Sequence, residues 1–262
     1  MFQPRIPAPA GVIFDIGGVL MQGRNALPGA LEALARLSQR GIPFLLLTNT
    51  TRQSHARLLR ELQDAGFELT PEQLLTPARV AADRLITQQQ RALLVIHHAL
   101  AEDFADCPSL DAGSRPDAVV IGDAAEGFTY AALNHAFRAL MAGASLYSLS
   151  DSRFFQDADG LSLDAGPFVR LLEQAASTQA IACGKPGAAI FTRACQTLGL
   201  PPTAITLIGD DVHSDITGAR TAGLGAVLVK TGKFRPQDLA VLPPGALVAE
   251  QVSDALTQLG LD

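Results

Sequence analysis

The chain has 262 residues, 48% of them apolar and 18% charged, with a formal net charge of −6. That length allows one large domain or two smaller ones with real cores, and no apolar run approaches a membrane span. An acidic chain without a clustered basic block argues against nucleic acid and anionic membrane as partners.

Residues 1–10 (MFQPRIPAPA) are proline-rich and lack an apolar h-region, so no secretory signal is read there. The cysteines Cys107, Cys183 and Cys195 are odd in number and show no CxxC spacing. They fit free thiols in a reducing compartment, and a cytoplasmic location is the expectation.

Along the chain, the first apolar stretch, Val12-Ile13-Phe14, runs into Asp15-Ile16-Gly17-Gly18. Pro28 is placed for the first turn of a helix over ALEALARLSQR, which Gly41 stops. A strand over 42–47 ends in Thr48-Asn49, and a helix over 53–65 ends at Gly66. Thr70-Pro71 and Thr76-Pro77 both read as helix starts, with Thr capping and Pro in the first turn. A separate α/β set follows: helices near 78–89 and 130–142, strands 92–96, 118–121 and 145–149, a Gly/Asp/Phe-rich loop over 150–160, and helix 166–176. From residue 180 the opening pattern resumes. Ala180-Ile181-Ala182 leads into Gly184-Lys185-Pro186, a helix covers 187–198, and strand 204–208 leads into Gly209-Asp210-Asp211. Helix 213–222 and strand 225–229 follow. The division that results is a core of 1–76 and 181–262 with 77–180 inserted. No internal repeat or low-complexity tract interrupts it.

Short apolar runs that end in turn residues read as buried parallel strands, and in an open α/β sheet ligands bind beyond the carboxyl ends of such strands. Four clusters of this kind would bring together a carboxylate, a hydroxyl, an ammonium and a second carboxylate. That set suits phosphoryl transfer. A carboxylate can attack phosphorus and carry it as an acyl phosphate, and positioning and electrostatics do most of the remaining work. Asp15 would attack. Lys185 and a divalent cation would offset the repulsion between that carboxylate and phosphate. Mg²⁺ prefers hard oxygens, here Asp15, Asp210 and the carbonyl of Gly17. Thr48 and the amides around Ile16, Gly17 and Asn49 would hold phosphate oxygens, with Asp211 and Asp215 supporting the ligands from behind.

The four clusters, in this order and with an insertion between the second and third, resemble the haloacid dehalogenase superfamily of aspartate-nucleophile phosphatases. The segment GDDVHSDITGARTAGLGAVLVKTGKFRPQD and the inserted stretches AAEGFTYAALNHAF and SLDAGPFVRLLE are similar to one small branch of it. The resemblance implies an α/β fold: a Rossmann-like, doubly wound parallel-sheet core with an inserted α/β C2-type cap. It implies Asp15 as nucleophile and metal ligand, the Gly17 carbonyl and Asp210 as further Mg²⁺ ligands, and Thr48, Asn49 and Lys185 as phosphate-binding residues. It also implies a small phosphorylated substrate, phosphorylated side chains and pyrophosphate included, and makes a homodimer an expectation.

One position departs from the pattern. Most phosphatases of the superfamily carry an acid/base Asp two residues after the nucleophile, and the similar branch carries a serine; this chain has Gly17. General acid–base assistance contributes about 10²–10⁴-fold, so its loss slows such an enzyme without silencing it. The leaving groups favoured are those that depart without a proton: P–N, pyrophosphate and activated aryl phosphates, ahead of sugar phosphates. Two other readings stand beside this one. A degenerate member could hold a phosphorylated ligand without turnover. A dehalogenase would also lack the second Asp, but Asp210 argues against it.

The remaining features carry milder readings. His97 and His98, as neighbours on a strand, would point to opposite faces. Cys183 reads as a small buried side chain, with a redox-sensitive thiol as the minor reading, and Lys233-Phe234-Arg235 as a surface turn ahead of a contact with substrate. The Arg153–Gly160 loop and Asp123–Gly127 are candidate selectivity elements of the cap. No GxGxxG or P-loop pattern occurs.

Overall fold

The computed structural model describes residues 8–111, 113–157 and 160–262, apart from the side chains of Gln156 and Asp157. In chain order the elements begin with β1 (Gly11–Asp15), a small hairpin of β2 (Met21–Gln22) and β3 (Asn25–Ala26), α1 (Ala30–Gln39), β4 (Phe44–Leu47), α2 (His55–Asp64) and β5 (Leu74–Leu75). Then come α3 (Pro77–Gln88), β6 (Ala92–Val95), β7 (Ala118–Ile121), α4 (Tyr130–Met141), β8 (Ser145–Ser148), β9 (Phe154–Asp157), β10 (Gly160–Leu163) and α5 (Ala165–Ala176). The chain closes with β11 (Ile181–Ala182), α6 (Ala188–Leu198), β12 (Ile205–Gly209), α7 (Gly218–Thr221), β13 (Gly225–Val229), β14 (Leu247–Ala249) and α8 (Val252–Gln258). No helix among the described residues is long and apolar enough to cross a membrane.

Two compact units result. The first comprises the described residues up to Thr48, Leu59–Leu75 and Phe191–Asp262; the second comprises Asn49–Leu58 and Thr76–Ile190.

The first unit is built on a six-stranded sheet in the order β14-β13-β12-β1-β4-β5, with every neighbouring pair parallel. Its central strands are apolar runs buried on both faces, GVIFD in β1 and ITLIG in β12, as parallel strands require. The chain proceeds outward from β1 to β4 and β5, then returns to place β12 on the other side of β1. The strand order therefore reverses between β1 and β12. In α1 the buried residues Ala30, Ala33, Leu34 and Leu37 form one helical face. Pro28 lies just outside this helix, not in its first turn, because Gly29 takes the N-cap in a left-handed conformation (φ 79°).

The second unit carries a parallel four-stranded sheet, β11-β8-β7-β6, and a separate antiparallel pair, β9–β10. Val119 and Ile121 of β7 and Leu146 of β8 pack with Ala136 and Leu140 of α4 and Val169 and Leu172 of α5. Thr76 and Thr129 cap α3 and α4, their hydroxyls accepting the backbone N–H of Arg79 and Ala132.

Three local expectations are corrected. The 150–160 loop contains β9 and leads into β10, so Arg153–Gly160 is partly strand; residues 158–159 lie outside the described set. His97 and His98 do not lie on a strand. β6 stops at Val95, a 3-10 turn begins at His98, and the two rings face each other at 4.2 Å between centroids. The helix placed over 213–222 is a wide π-type turn, Val212–Thr217, followed by the single turn of α7.

Candidate active site

Parallel sheets bind ligands where the strand order reverses, outside the carboxyl ends of the strands. Here that point lies between β1 and β12, and both strands end in carboxylates. Asp15 is the last residue of β1, and Asp210 follows β12 directly. Asp215, on the wide turn after β12, completes a cluster with them. Each of the three is buried, and each offers a carboxylate oxygen within 4.8 Å of those of the other two. The sequence reading kept Asp215 behind the ligands; the geometry puts it in the same oxygen cluster.

Asp210 is held tightly. Its Oδ2 accepts the Lys233 backbone N–H at 2.7 Å. Gly18 and Gly232 close on the same oxygen, so that a Cβ on either would fall 2.1 and 1.9 Å from it. Both have positive φ, 79° and 60°, which a glycine adopts without strain. The other oxygen, Oδ1, is buried and has no hydrogen-bond partner among the described residues. Burial raises the Asp210 carboxyl to about 7, and the charges of Asp15 and Asp215 push in the same direction against the Lys233 N–H.

A buried carboxylate oxygen without a partner is costly unless a cation meets it. The donor set around it is all oxygen, which fits a hard divalent cation such as Mg²⁺. Asp15, Asp210 and Asp215 are the groups here that could hold it.

The loop after β1 is closed by its own backbone: Gly18 N–H donates to the Met21 carbonyl, and Leu20 and Met21 donate to that of Ile16. Thr231 Oγ1 donates to the Gly18 carbonyl, joining this loop to the one after β13. Gly17 is exposed, its φ is not positive, and a Cβ there would meet nothing within 4 Å. Glycine at this position is therefore not imposed by the backbone.

Asp211 is not one of the three clustered carboxylates. Its Oδ1 accepts the N–H groups of His213 and Ser214, capping the wide turn, and its backbone N–H donates to Asp215 Oδ2. Burial works to raise its carboxyl, but the Ser214 and His213 N–H groups and Lys233 outweigh that and leave it below the usual range. Asp211 thus touches the cluster through its backbone N–H on Asp215.

Thr48 follows β4 directly in the same unit as Asp15, its N–H donating to the Leu75 carbonyl at 3.3 Å. Asn49 and Lys185 belong to the second unit. There Asn49 Nδ2 donates to the Lys185 carbonyl and Asn49 Oδ1 accepts the Lys185 N–H, each at 2.8 Å. Lys185 is buried, 4% exposed. Gly184 lets the chain pass close to the Leu149 carbonyl, 2.7 Å from where a Cβ would sit.

Sequence reasoning did not single out Thr231 or Gly232, and it favoured a surface turn for 233–235 over a contact with substrate. The signal was present: β13 is an apolar run, GAVLV, that ends in polar turn residues like the other four clusters. Cys183 is fully buried as expected, and burial raises its thiol to about 12.

A Haloacid dehalogenase-like hydrolase family model matches residues 12–107, and a second haloacid dehalogenase hydrolase-like model matches 182–255. The human phospholysine phosphohistidine inorganic pyrophosphate phosphatase is 37% identical over 240 residues, covering 89% of this chain and 87% of that protein. The chain belongs to the haloacid dehalogenase-like hydrolases. It is an enzyme of that family, with the parallel α/β core and additional α/β unit seen above. Haloacid dehalogenase-like hydrolase domain-containing protein 2 from Bos taurus is 38% identical over 227 residues, 87% of this chain and 86% of its own length. Among solved structures, a glycerol phosphate phosphatase from Mycobacterium tuberculosis in complex with magnesium superposes with a TM-score of 0.80 at 28% identity. That match covers 94% of this chain and 76% of the other.

Proposed function

We propose that this enzyme is a Mg²⁺-dependent phosphatase working through an aspartyl phosphate on Asp15. The observation that carries the reading is the buried carboxylate trio at the β1/β12 reversal, with a partnerless oxygen on Asp210. Asp15 attacks the phosphorus, the bond to the leaving group breaks, and water then hydrolyses the acyl phosphate to restore the carboxylate. The bound cation supplies charge neutralisation for the incoming phosphate. Lys185 adds a positive charge for the transferred phosphoryl group, Thr48 a hydroxyl, and the amides of Ile16, Gly17 and Asn49 further donors.

Gly17 supplies no proton to the leaving group and no base to the water. The substrates that suit such a site have P–N, P–O–P or activated aryl phosphate bonds, whose leaving groups depart unaided. The names of the relatives, a phospholysine phosphohistidine inorganic pyrophosphate phosphatase among them, support the same range. We assign residues 77–180 as a C2-type cap, place the protein in the cytoplasm in keeping with three free thiols, and take it to be a homodimer.

The test is a release screen with and without Mg²⁺, over pyrophosphate, imidodiphosphate, phospholysine, phosphohistidine, p-nitrophenyl phosphate and sugar phosphates, with Asp15→Asn as blank. Mg²⁺-dependent release that vanishes in the variant supports the proposal. A preference for sugar phosphates overturns the leaving-group argument. Gly17 also motivates a second reading, a phospho-ligand-binding protein with little turnover. Phosphate binding with no Mg²⁺-dependent release from any substrate would favour it.

A further inference from the structure

Within the second unit, a basic cavity opens at the amino ends of the four-stranded sheet. Gln90 lies just before β6, Asp117 directly before β7, and Ser145 opens β8; all three line a cavity of about 570 Å³. Lys185 follows β11 at the carboxyl ends of the same parallel sheet, so the cavity stands at the far end of the sheet from it.

Arg115, His135 and Arg138 also line the cavity. Asp117 is the one acid among its lining residues, and it is already engaged. Its Oδ2 accepts the Arg91 backbone N–H at 3.1 Å and Nε at 2.9 Å, and its Oδ1 accepts Arg91 Nη2 at 3.3 Å. Among the described residues, neither Arg115 nor Arg138 has an acidic partner. Gln90 adds a donor. The hydroxyl of the fully buried Tyr147 donates to Gln90 Oε1 at 2.8 Å, which fixes the amide and leaves Nε2 without a partner among the described residues.

Arg138 by itself would need no ligand, because it stands in the last turn of α4, where a cation suits the helix dipole. Arg115 lies on no helix, and that reason does not extend to it. Two guanidinium groups, an amide donor and a serine hydroxyl around one cavity make a donor set for the oxygens of an anion. The volume falls in the range of about 300–1,000 Å³ typical of small-molecule sites, more room than one inorganic phosphate needs. We propose that this cavity binds a small organic phosphate with a second anionic group, one group for each arginine. Binding there needs neither Mg²⁺ nor the Asp15 carboxylate.

The experiment uses the full chain in chelator, with Asp15→Asn to prevent turnover, titrated calorimetrically with 3-phosphoglycerate, inorganic phosphate and glycerol. The organic phosphate binds one to one, about tenfold more tightly than inorganic phosphate, and glycerol does not bind. Added salt weakens the binding. Arg115→Gln and Arg138→Gln each weaken it about tenfold, with Arg138→Lys in between, as loss of one charge-assisted bidentate contact implies. Gln90→Glu keeps an acceptor for the Tyr147 hydroxyl but sets a carboxylate in the wall, and it removes binding. Arg115 and Arg138 are exposed, so their variants keep the parent Tm, and Arg138→Lys guards against a folding artefact. Four results overturn the proposal: no binding of 3-phosphoglycerate in chelator, binding that requires Mg²⁺, inorganic phosphate binding as tightly, or binding indifferent to these substitutions.

Discussion

The side-chain amide of Asn49 grips the backbone of Lys185 from both sides, donating to its carbonyl and accepting from its N–H at 2.8 Å each. Few side chains other than an amide can do both at once. Asn49→Asp keeps the acceptor but sets a carboxylate against the Lys185 carbonyl. The expected loss is about 1–3 kcal/mol in urea unfolding, the cost of leaving a buried polar group unmatched. Turnover falls as well, because Lys185 is displaced. Unchanged unfolding in Asn49→Asp would separate Asn49 from the placement of Lys185.

Neighbouring glycines should behave oppositely. A Cβ on Gly18 would fall 2.1 Å from Asp210 Oδ2 and 2.6 Å from Gly232 Cα, at a φ of 79°. Gly18→Ala is expected to cost about 2–4 kcal/mol and to abolish Mg²⁺ binding, since strain and a displaced ligand act together. Gly17→Ala, with nothing within 4 Å, should stay within about 1 kcal/mol of the parent. Paired denaturation curves check both.

The open space at Gly17 also allows a gain of function. A Cβ at Gly17 meets nothing within 4 Å, so Gly17→Asp begins in open space. With Mg²⁺ present it should speed hydrolysis of sugar phosphates toward the roughly 10²–10⁴-fold that general acid–base assistance contributes. Aryl phosphates, whose leaving groups need no proton, gain much less. Stopped assays on the two substrate types measure the difference.

Stability without divalent ions should depend on pH through Asp210. Its folded value of about 7 lies above the usual carboxylate value of about 3.9, so its contribution is full below about pH 4 and is lost as pH rises through 7. Burial likewise raises Asp103 and Asp164, with the same sign. Thermal unfolding in chelator should therefore weaken from about pH 5 to about pH 8. Asp210→Asn reduces that slope without removing it. Mg²⁺ restores the loss, because it stabilises the charged form.

Cys183 should resist alkylation in the native protein. It has no exposed surface, and burial raises its thiol to about 12, so little thiolate forms at neutral pH. Cys107 and Cys195 are only partly buried. Mass mapping after brief iodoacetamide treatment should find label on those two first.

How far the sequence carried varies from place to place. The buried strands β1, β4, β7 and β12 were legible because a parallel strand covered on both faces is a plain apolar run, and each carboxyl end exposed its polar cluster directly. Asp15 and Asp210 followed from that logic. The pair β9–β10 was hidden, because turn-forming Asp and Gly dominate the stretch and its apolar residues Phe154, Leu161 and Leu163 remain exposed. Lys233 was hidden for a different reason. It serves Asp210 through its backbone N–H, a group every residue but proline has, so its side chain gave no cue. The ring contact between His97 and His98 depended on where β6 stops, and a strand end shifts by a residue or two without any change in pattern.

The sheet order also constrains when the carboxylate trio can first exist. β1 lies between β4, which follows within a few dozen residues, and β12, which begins only at Ile205. On an elongating polypeptide the strand bearing Asp15 therefore keeps one flank bare until most of the molecule has been made. Chaperone dependence during translation should centre on that uncovered edge.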